Sequence, residues 1–243
     1  MDFYSAGIAL GRISGILVRV HWTLLLWWLY QLNGVLHRSE FSPNRRIAIL
    51  SWLLAVGLGF LSILVHEFGH CFAARKVGGD ADEILMWPLG GLAFCHCPDY
   101  WKSHLIVAVG GPLVTLGIVS LSYPLFTLWE HWSPAATYTW YYWELYGVLF
   151  HWNLCILIFN LIPLYPMDGG RIFHACAWGI FSRQGGYTWG GQSRASLLTL
   201  KVSRLTAVLG ILYGVYSGDA FWVLIFIWAL SGAERLKDST SSF

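Results

Sequence analysis

Six apolar stretches, at roughly 18–36, 47–74, 104–129, 144–164, 197–217 and 219–234, run through the chain. A helix needs about 20 mostly apolar residues to cross the hydrocarbon core of a bilayer, and most of these stretches approach that length. Lipid offers no water to backbone N–H and C=O groups, so such stretches fold as helices that satisfy their own hydrogen bonds. The expected fold class is therefore all-α polytopic membrane protein, with about six transmembrane helices. Composition agrees: 56% of the 243 residues are hydrophobic and 12% are charged, against about a quarter charged in soluble domains. Ser217, Gly218 and Asp219 form a tight turn between the last two stretches, which read as a helical hairpin over 197–234. Gly169 to Phe181 is apolar but too short to cross, so a partial or interfacial helix is expected there.

Six crossings put both termini on one side. Short cytoplasmic loops are enriched in Lys and Arg, and an inner N-terminus places Arg12, Arg19, Arg75, Lys76, Lys102, Arg171, Arg183, Arg194, Lys201, Arg204, Arg235 and Lys237 inside. Only Arg38, Arg45 and Arg46 then lie outside. Both termini are thus expected in the cytoplasm. The 15 Trp, 12 Tyr and 14 Phe fit aromatic belts at the two interfaces of a lipid bilayer, and the Trp129 to Trp143 loop reads as an interfacial anchor. A formal charge of +2, scattered along the chain, makes no nucleic-acid surface. Five Cys, mostly in apolar segments, do not make a disulfide framework. Met1 to Val20 has no long apolar run before a small-residue cleavage site, so no cleaved signal peptide is expected.

Two breaks stand out. Gly78 to Tyr100 carries Asp80, Asp82 and Glu83, then Pro88-Leu89-Gly90-Gly91 and an alternating stretch, and reads as an extended or β-hairpin element after the second helix. Ser182 to Ser193 is rich in Gly and Ser and reads as a mobile cytoplasmic loop.

The chemistry concentrates in His66-Glu67-Phe68-Gly69-His70, near the cytoplasmic end of the second stretch. Helical positions four apart share a face, so His66 and His70 can grip one metal ion while Glu67 reaches a water beside it, as in zinc proteases. Two His and a Glu inside an apolar helix carry a large insertion penalty unless they have partners or a function. The plainer alternative is a polar helix end facing interfacial water. Catalytic zinc takes three protein ligands and keeps a fourth position open, and the best third candidate is Asp168. It follows Pro163 and Pro166, which must break or kink the fourth helix and free backbone groups that need protein or a water-filled cavity. The alternative for Asp168 is a surface acid at a Gly turn.

HEFGH on one helix and Asn160-Leu-Ile-Pro-Leu-Tyr-Pro-Met-Asp168-Gly-Gly-Arg171 on another resemble the site-2 protease family, the intramembrane zinc metalloproteases of peptidase family M50. Gly15-Ile-Leu-Val-Arg-Val-His21-Trp-Thr23, Pro88-Leu-Gly-Gly-Leu-Ala93 and Gly110-Gly-Pro-Leu113 resemble further family segments in the same order, over about residues 12–181. The resemblance implies His66, His70 and Asp168 as ligands of one Zn2+ per chain, Glu67 as the catalytic acid/base and Asn160 as holder of the substrate carbonyl. One departure is Thr115, where many relatives have Asn after Gly-Pro-Leu-Val. The resemblance further implies a single transmembrane metalloprotease domain over 1–243, with a catalytic core at about 47–181 and without the PDZ or cystathionine-β-synthase-type domain of many relatives. The partners it implies are a transmembrane protein substrate, the bilayer and an unidentified regulatory membrane protein. The place it implies is a prokaryotic cell (inner) membrane, with the active site toward the cytoplasm. The rival reading is a zinc-binding transporter or metal-homeostasis protein, in which intramembrane His and Asp mark an ion path.

His21 and His151 read as interfacial or hydrogen-bonded rather than direct participants, because the ligand set is complete without them. Cys95-His96-Cys97 could bind a second metal or sense redox state, but two Cys and one His without a nearby fourth ligand make a weak pattern. Gly110 and Gly111 read as small residues that let helices approach.

Overall fold

The computed structural model describes residues 7–38, 44–135, 139–185 and 188–241, and the side chains of all of these except 183–185, 188–189 and 235–241. The side chains of Arg183, Arg235 and Lys237, and residues 136–138 and 186–187 of the two loops singled out above, lie outside that set.

The order is β1 (Gly7–Ile13), β2 (Ile16–His21), α1 (Trp22–Arg38), α2 (Arg45–Lys76), β3 (Asp80–Trp87), β4 (Gly90–His96), α3 (Trp101–Trp132), α4 (Trp140–Tyr146), a π-helical segment Gly147–Trp152, α5 (Asn153–Asn160), α6 (Asp168–Gly185), α7 (Thr188–Ser217) and α8 (Ala220–Ser241). The chain is a mostly helical assembly with one small sheet. Among the described residues three helices are long and apolar enough to cross a membrane: α2, α3 and the Gly190–Ser217 part of α7. The fourth apolar stretch forms α4, the π segment and α5 in unbroken succession and stops at Asn160, so Pro163 and Pro166 fall in the turn before α6. The short helix expected near 169–181 is α6.

The hairpin expected at 78–100 is β3–β4, closed over Pro88 and Leu89. It belongs to a larger sheet that the apolar run of 18–36 conceals. Residues 16–21 are a strand, and the first apolar helix begins only at Trp22. Strand β2 pairs antiparallel with β1 and parallel with β3, giving the order β1-β2-β3-β4. Parallel neighbours need a long crossover, and here α1 and α2 supply it. The β1–β2 turn places Ser14 and Gly15 at φ 51 and 80, the left-handed pair that a two-residue hairpin turn favours.

The sheet packs on one face of α2. Leu64, Phe68 and Cys71 follow the i, i+4, i+7 rule and meet Ile16, Val18, Val20, Ile84 and Met86 in one buried cluster. Arg75 fixes the sheet to the end of the same helix, donating from Nη1 to the Ser14 carbonyl at 2.7 Å and from Nη2 to the Ala81 carbonyl at 2.8 Å. The other side of α2 meets α3, where Gly69 and Gly110 cross. A Cβ on Gly110 would stand 2.8 Å from Ala73 Cβ, so only hydrogens allow this approach.

One further expectation changes. Most of the 182–193 stretch is helical, because Trp178 of α6 and Ala195 of α7 share a buried cluster that overrides its Gly and Ser content. The aromatic residues near the α3–α4 connection also pack on one another: Tyr142 is buried edge-on against Phe126 and Trp129.

Ile84, fully buried at the centre of the sheet cluster, supplies a test of that packing. Ile84→Ala should lower unfolding free energy by roughly 2–5 kcal/mol, read as a lower melting temperature in detergent.

Candidate metal centre and its cavity

Helix α2 presents His66 and His70 one turn apart on its α3 side, and α6 begins with Asp168 directly opposite. His66 Nε2 lies 3.1 Å from Asp168 Oδ2, His70 Nε2 lies 3.3 Å from Asp168 Oδ1, and the two Nε2 atoms are 3.2 Å apart. All three side chains are buried. Among the described residues they are the one group of His, Cys, Asp or Glu placed to hold a metal ion.

The second ring nitrogens decide what faces the centre. His70 Nδ1 sits 2.7 Å from the Val107 carbonyl, which can only accept, so Nδ1 carries the proton and Nε2 keeps a lone pair. His66 Nδ1 sits 2.8 Å from Thr115 Oγ1, and that hydroxyl has the Gly111 carbonyl 3.4 Å away as its own acceptor. With the hydroxyl donating to Gly111, Nδ1 of a neutral His66 donates to Thr115 and its Nε2 lone pair also turns inward. Two such lone pairs and a carboxylate meeting at these distances suit a shared cation. A tetrahedral ion with ligand bonds of about 2.0–2.1 Å spaces its ligand atoms about 3.3 Å apart, and the observed spacings fit it.

Close approach is built into the backbone. A Cβ on Gly111 would fall 2.6 Å from His66 Nε2 and collide with His70 Nε2, and a Cβ on Gly91 would collide with the Glu67 side chain. The turn ahead of Asp168 is held from below: Leu164 and Met167 pack against Ala207, Ile225, Phe226 and Ala229 of the α7–α8 hairpin. Ser203 Oγ accepts the Tyr165 amide at 3.0 Å. The Tyr165–Pro166 peptide is cis.

His66, Glu67, His70 and Asp168 line a cavity of about 680 Å³, bounded by Gly90 to Ala93 of β4, the end of α5 with Asn160, Arg171 of α6, and Phe221 and Trp228 of α8. Glu67 is buried beside the histidines, and Asn160 is half-buried. The rings of Trp87 and Trp228, tilted at 53° with centroids 5.5 Å apart, link the sheet to α8. His21 stands apart, buried at the end of β2, where its Nδ1 lies 2.7 Å from Thr23 Oγ1 and accepts from the Thr23 amide at 3.3 Å. His151 is exposed beside Tyr146. The residues that sequence reading passed over are Thr115 and Val107. Thr115 was visible only as a departure from a family pattern, and a backbone carbonyl leaves no signal in sequence.

The peptidase family M50 model matches residues 117–189. A zinc metalloprotease of Methanocaldococcus jannaschii is 29% identical over 94% of this chain and 60% of its own length. The stage IV sporulation protein FB of Bacillus subtilis is 26% identical over 73% of this chain and 57% of its own. The solved site-2 protease from Methanocaldococcus jannaschii superposes with a TM-score of 0.59 at 25% identity, over 94% of each chain. The chain is thus similar to members of peptidase family M50, the site-2 proteases, and is an integral membrane protein. It spans about three-fifths of the length of the curated relatives it matches.

Groups that orient a metal-binding histidine typically change affinity by about 10–100-fold when lost. Thr115→Val keeps the shape and removes the hydroxyl, so metal affinity measured by chelator competition should fall by that factor, and Thr115→Ser should restore it.

Proposed function

We propose that this protein is a zinc-dependent intramembrane endopeptidase that hydrolyses a peptide bond in or near a transmembrane segment of a membrane-protein substrate. The observation that carries the reading is the meeting of His66, His70 and Asp168 beside Glu67 in one cavity. The relatives named as zinc metalloproteases support the choice of metal and of reaction. One Zn2+ per chain is held by His66 Nε2, His70 Nε2 and Asp168. Bound there, zinc supplies a Lewis acid that polarises the scissile carbonyl and acidifies a water.

The remaining work belongs to the chain. Glu67 accepts the water's proton on its carboxylate and returns it to the leaving amine. The Asn160 amide donates a hydrogen bond to the oxygen on which charge develops. Thr115 and the Val107 carbonyl hold the two rings in the tautomer that points Nε2 inward. A substrate helix hides its own amides, so it must unwind to be cut. Strand β4 lies at the sheet edge and lines the cavity, which supports pairing of the unwound chain along it.

The reading extends to topology. The chain forms one metalloprotease domain with six crossings, both termini cytoplasmic and the cavity toward the cytoplasm, in a prokaryotic cell membrane. Its biological setting is regulated intramembrane proteolysis, with a separate membrane protein as regulator.

The test compares wild type with Glu67→Gln and Asn160→Ala in liposomes holding single-span membrane proteins. Glu67→Gln should keep one zinc per chain and lose cleavage by at least about 10²-fold, the scale of general acid–base catalysis. Asn160→Ala should keep zinc and lose about 10²–10³-fold in kcat, the scale of an oxyanion donor. Zinc flux through the liposomes at equal rates in wild type and Glu67→Gln, with no cleavage by either, would overturn the protease reading in favour of a transporter.

A further inference from the structure

Cys71 and Cys95 have no part in the chemistry above, yet their Sγ atoms lie 3.7 Å apart. Cys71 directly follows His70 on α2 and is fully buried, while Cys95 lies near the end of β4 and is half-buried. Both thiols are free. Bonded sulfurs sit about 2.05 Å apart, so the two need to close by about 1.7 Å. The pair joins two elements that matter to the cavity. Cys95 is four residues from Gly91, whose Cα lies against the Glu67 side chain, and β4 forms one cavity wall.

We propose that Cys71 and Cys95 form a reversible disulfide under peroxide, fastening edge strand β4 to the metal-binding helix. The half-exposed Cys95 thiol reacts first, because oxidation follows access. Its sulfur takes an oxygen from hydrogen peroxide to give a sulfenic acid and one water. Cys71 sulfur then attacks the Cys95 sulfur, the S–O bond breaks and a second water leaves. In total two thiols lose two electrons and two protons, and one peroxide becomes two waters. Thiol exchange with a dithiol reverses the bond. In a reducing cytoplasm the pair rests as thiols, so the cross-link marks oxidative conditions. With β4 fastened to α2, the wall along which a substrate strand would lie can no longer move away from the helix. The cross-link itself stands on the sulfur geometry; its effect on cleavage rests on the protease reading.

The experiment treats the zinc-loaded full chain in liposomes with hydrogen peroxide, blocks free thiols, digests the protein and identifies linked peptides by mass. Wild type and Cys97→Ser should each show a Cys71–Cys95 peptide that has lost two hydrogens and is restored by dithiothreitol. Cys71→Ala and Cys95→Ala should lack it, and zinc content should not change. Cleavage should drop in oxidised wild type, recover on reduction and stay constant in Cys71→Ala. A Cys95–Cys97 disulfide, or Cys95 oxidised to sulfinic acid while Cys71 remains free, would overturn the proposal. A Cys71–Cys95 link that leaves cleavage unchanged overturns its regulatory half. If the reduced protein cuts nothing, the protease reading fails while the peptide masses still decide the thiol pair.

Discussion

Two imidazole nitrogens 3.2 Å apart, each with its second nitrogen held by a partner on α3, set the terms for the rest of the structure. Their lone pairs point at one another and at a carboxylate within a helix bundle, a costly arrangement unless a cation joins them. Every element around the centre serves to hold that arrangement. Helix α3 supplies both outer hydrogen-bond partners, and its glycines let it approach α2 closely enough to do so. Helix α6 brings Asp168 at its first residue, after a turn that carries both prolines and cannot continue α5.

The sheet and the α7–α8 hairpin act at one remove. The sheet packs on the face of α2 away from α3 and carries β4 to the cavity wall, so the helix that carries His66 and His70 also anchors the edge strand. The hairpin packs beneath the turn that precedes Asp168 and caps its Tyr165 amide through Ser203. Cavity shape and ligand geometry therefore share supports. The contact between Cys71 and Cys95 lies on the same helix and strand, one residue from His70.

Much of this was legible in the sequence. Apolar length announced membrane helices, the spacing of His66 and His70 announced a shared helical face, and Pro163 and Pro166 announced a break beside an acid. The β3–β4 hairpin was legible from its turn residues and alternation. The strand at 16–21 was not: Ile-Leu-Val inside a longer apolar run has no period of its own, and its pairing with β3 spans the whole α1–α2 crossover. The 182–193 stretch misled for the opposite reason, since its Gly and Ser favour a loop while packing of Trp178 against Ala195 favours helix.

What the sequence determined by itself is whatever depends on neighbours along the chain: helix length, the one-turn spacing of two ligands, the proline break and the residue types able to bind a metal. Only the tertiary structure decided which nitrogen of each histidine faces the centre, because the deciding partners, Thr115 and the Val107 carbonyl, stand 49 and 37 residues away. It likewise decided that Asp168 meets His66 across 102 residues, and that Cys95 meets Cys71 rather than its sequence neighbour Cys97. Hydrogen bonds and sulfur contacts act over a few ångströms, and no local periodicity states which distant residues a helix crossing will bring within that range.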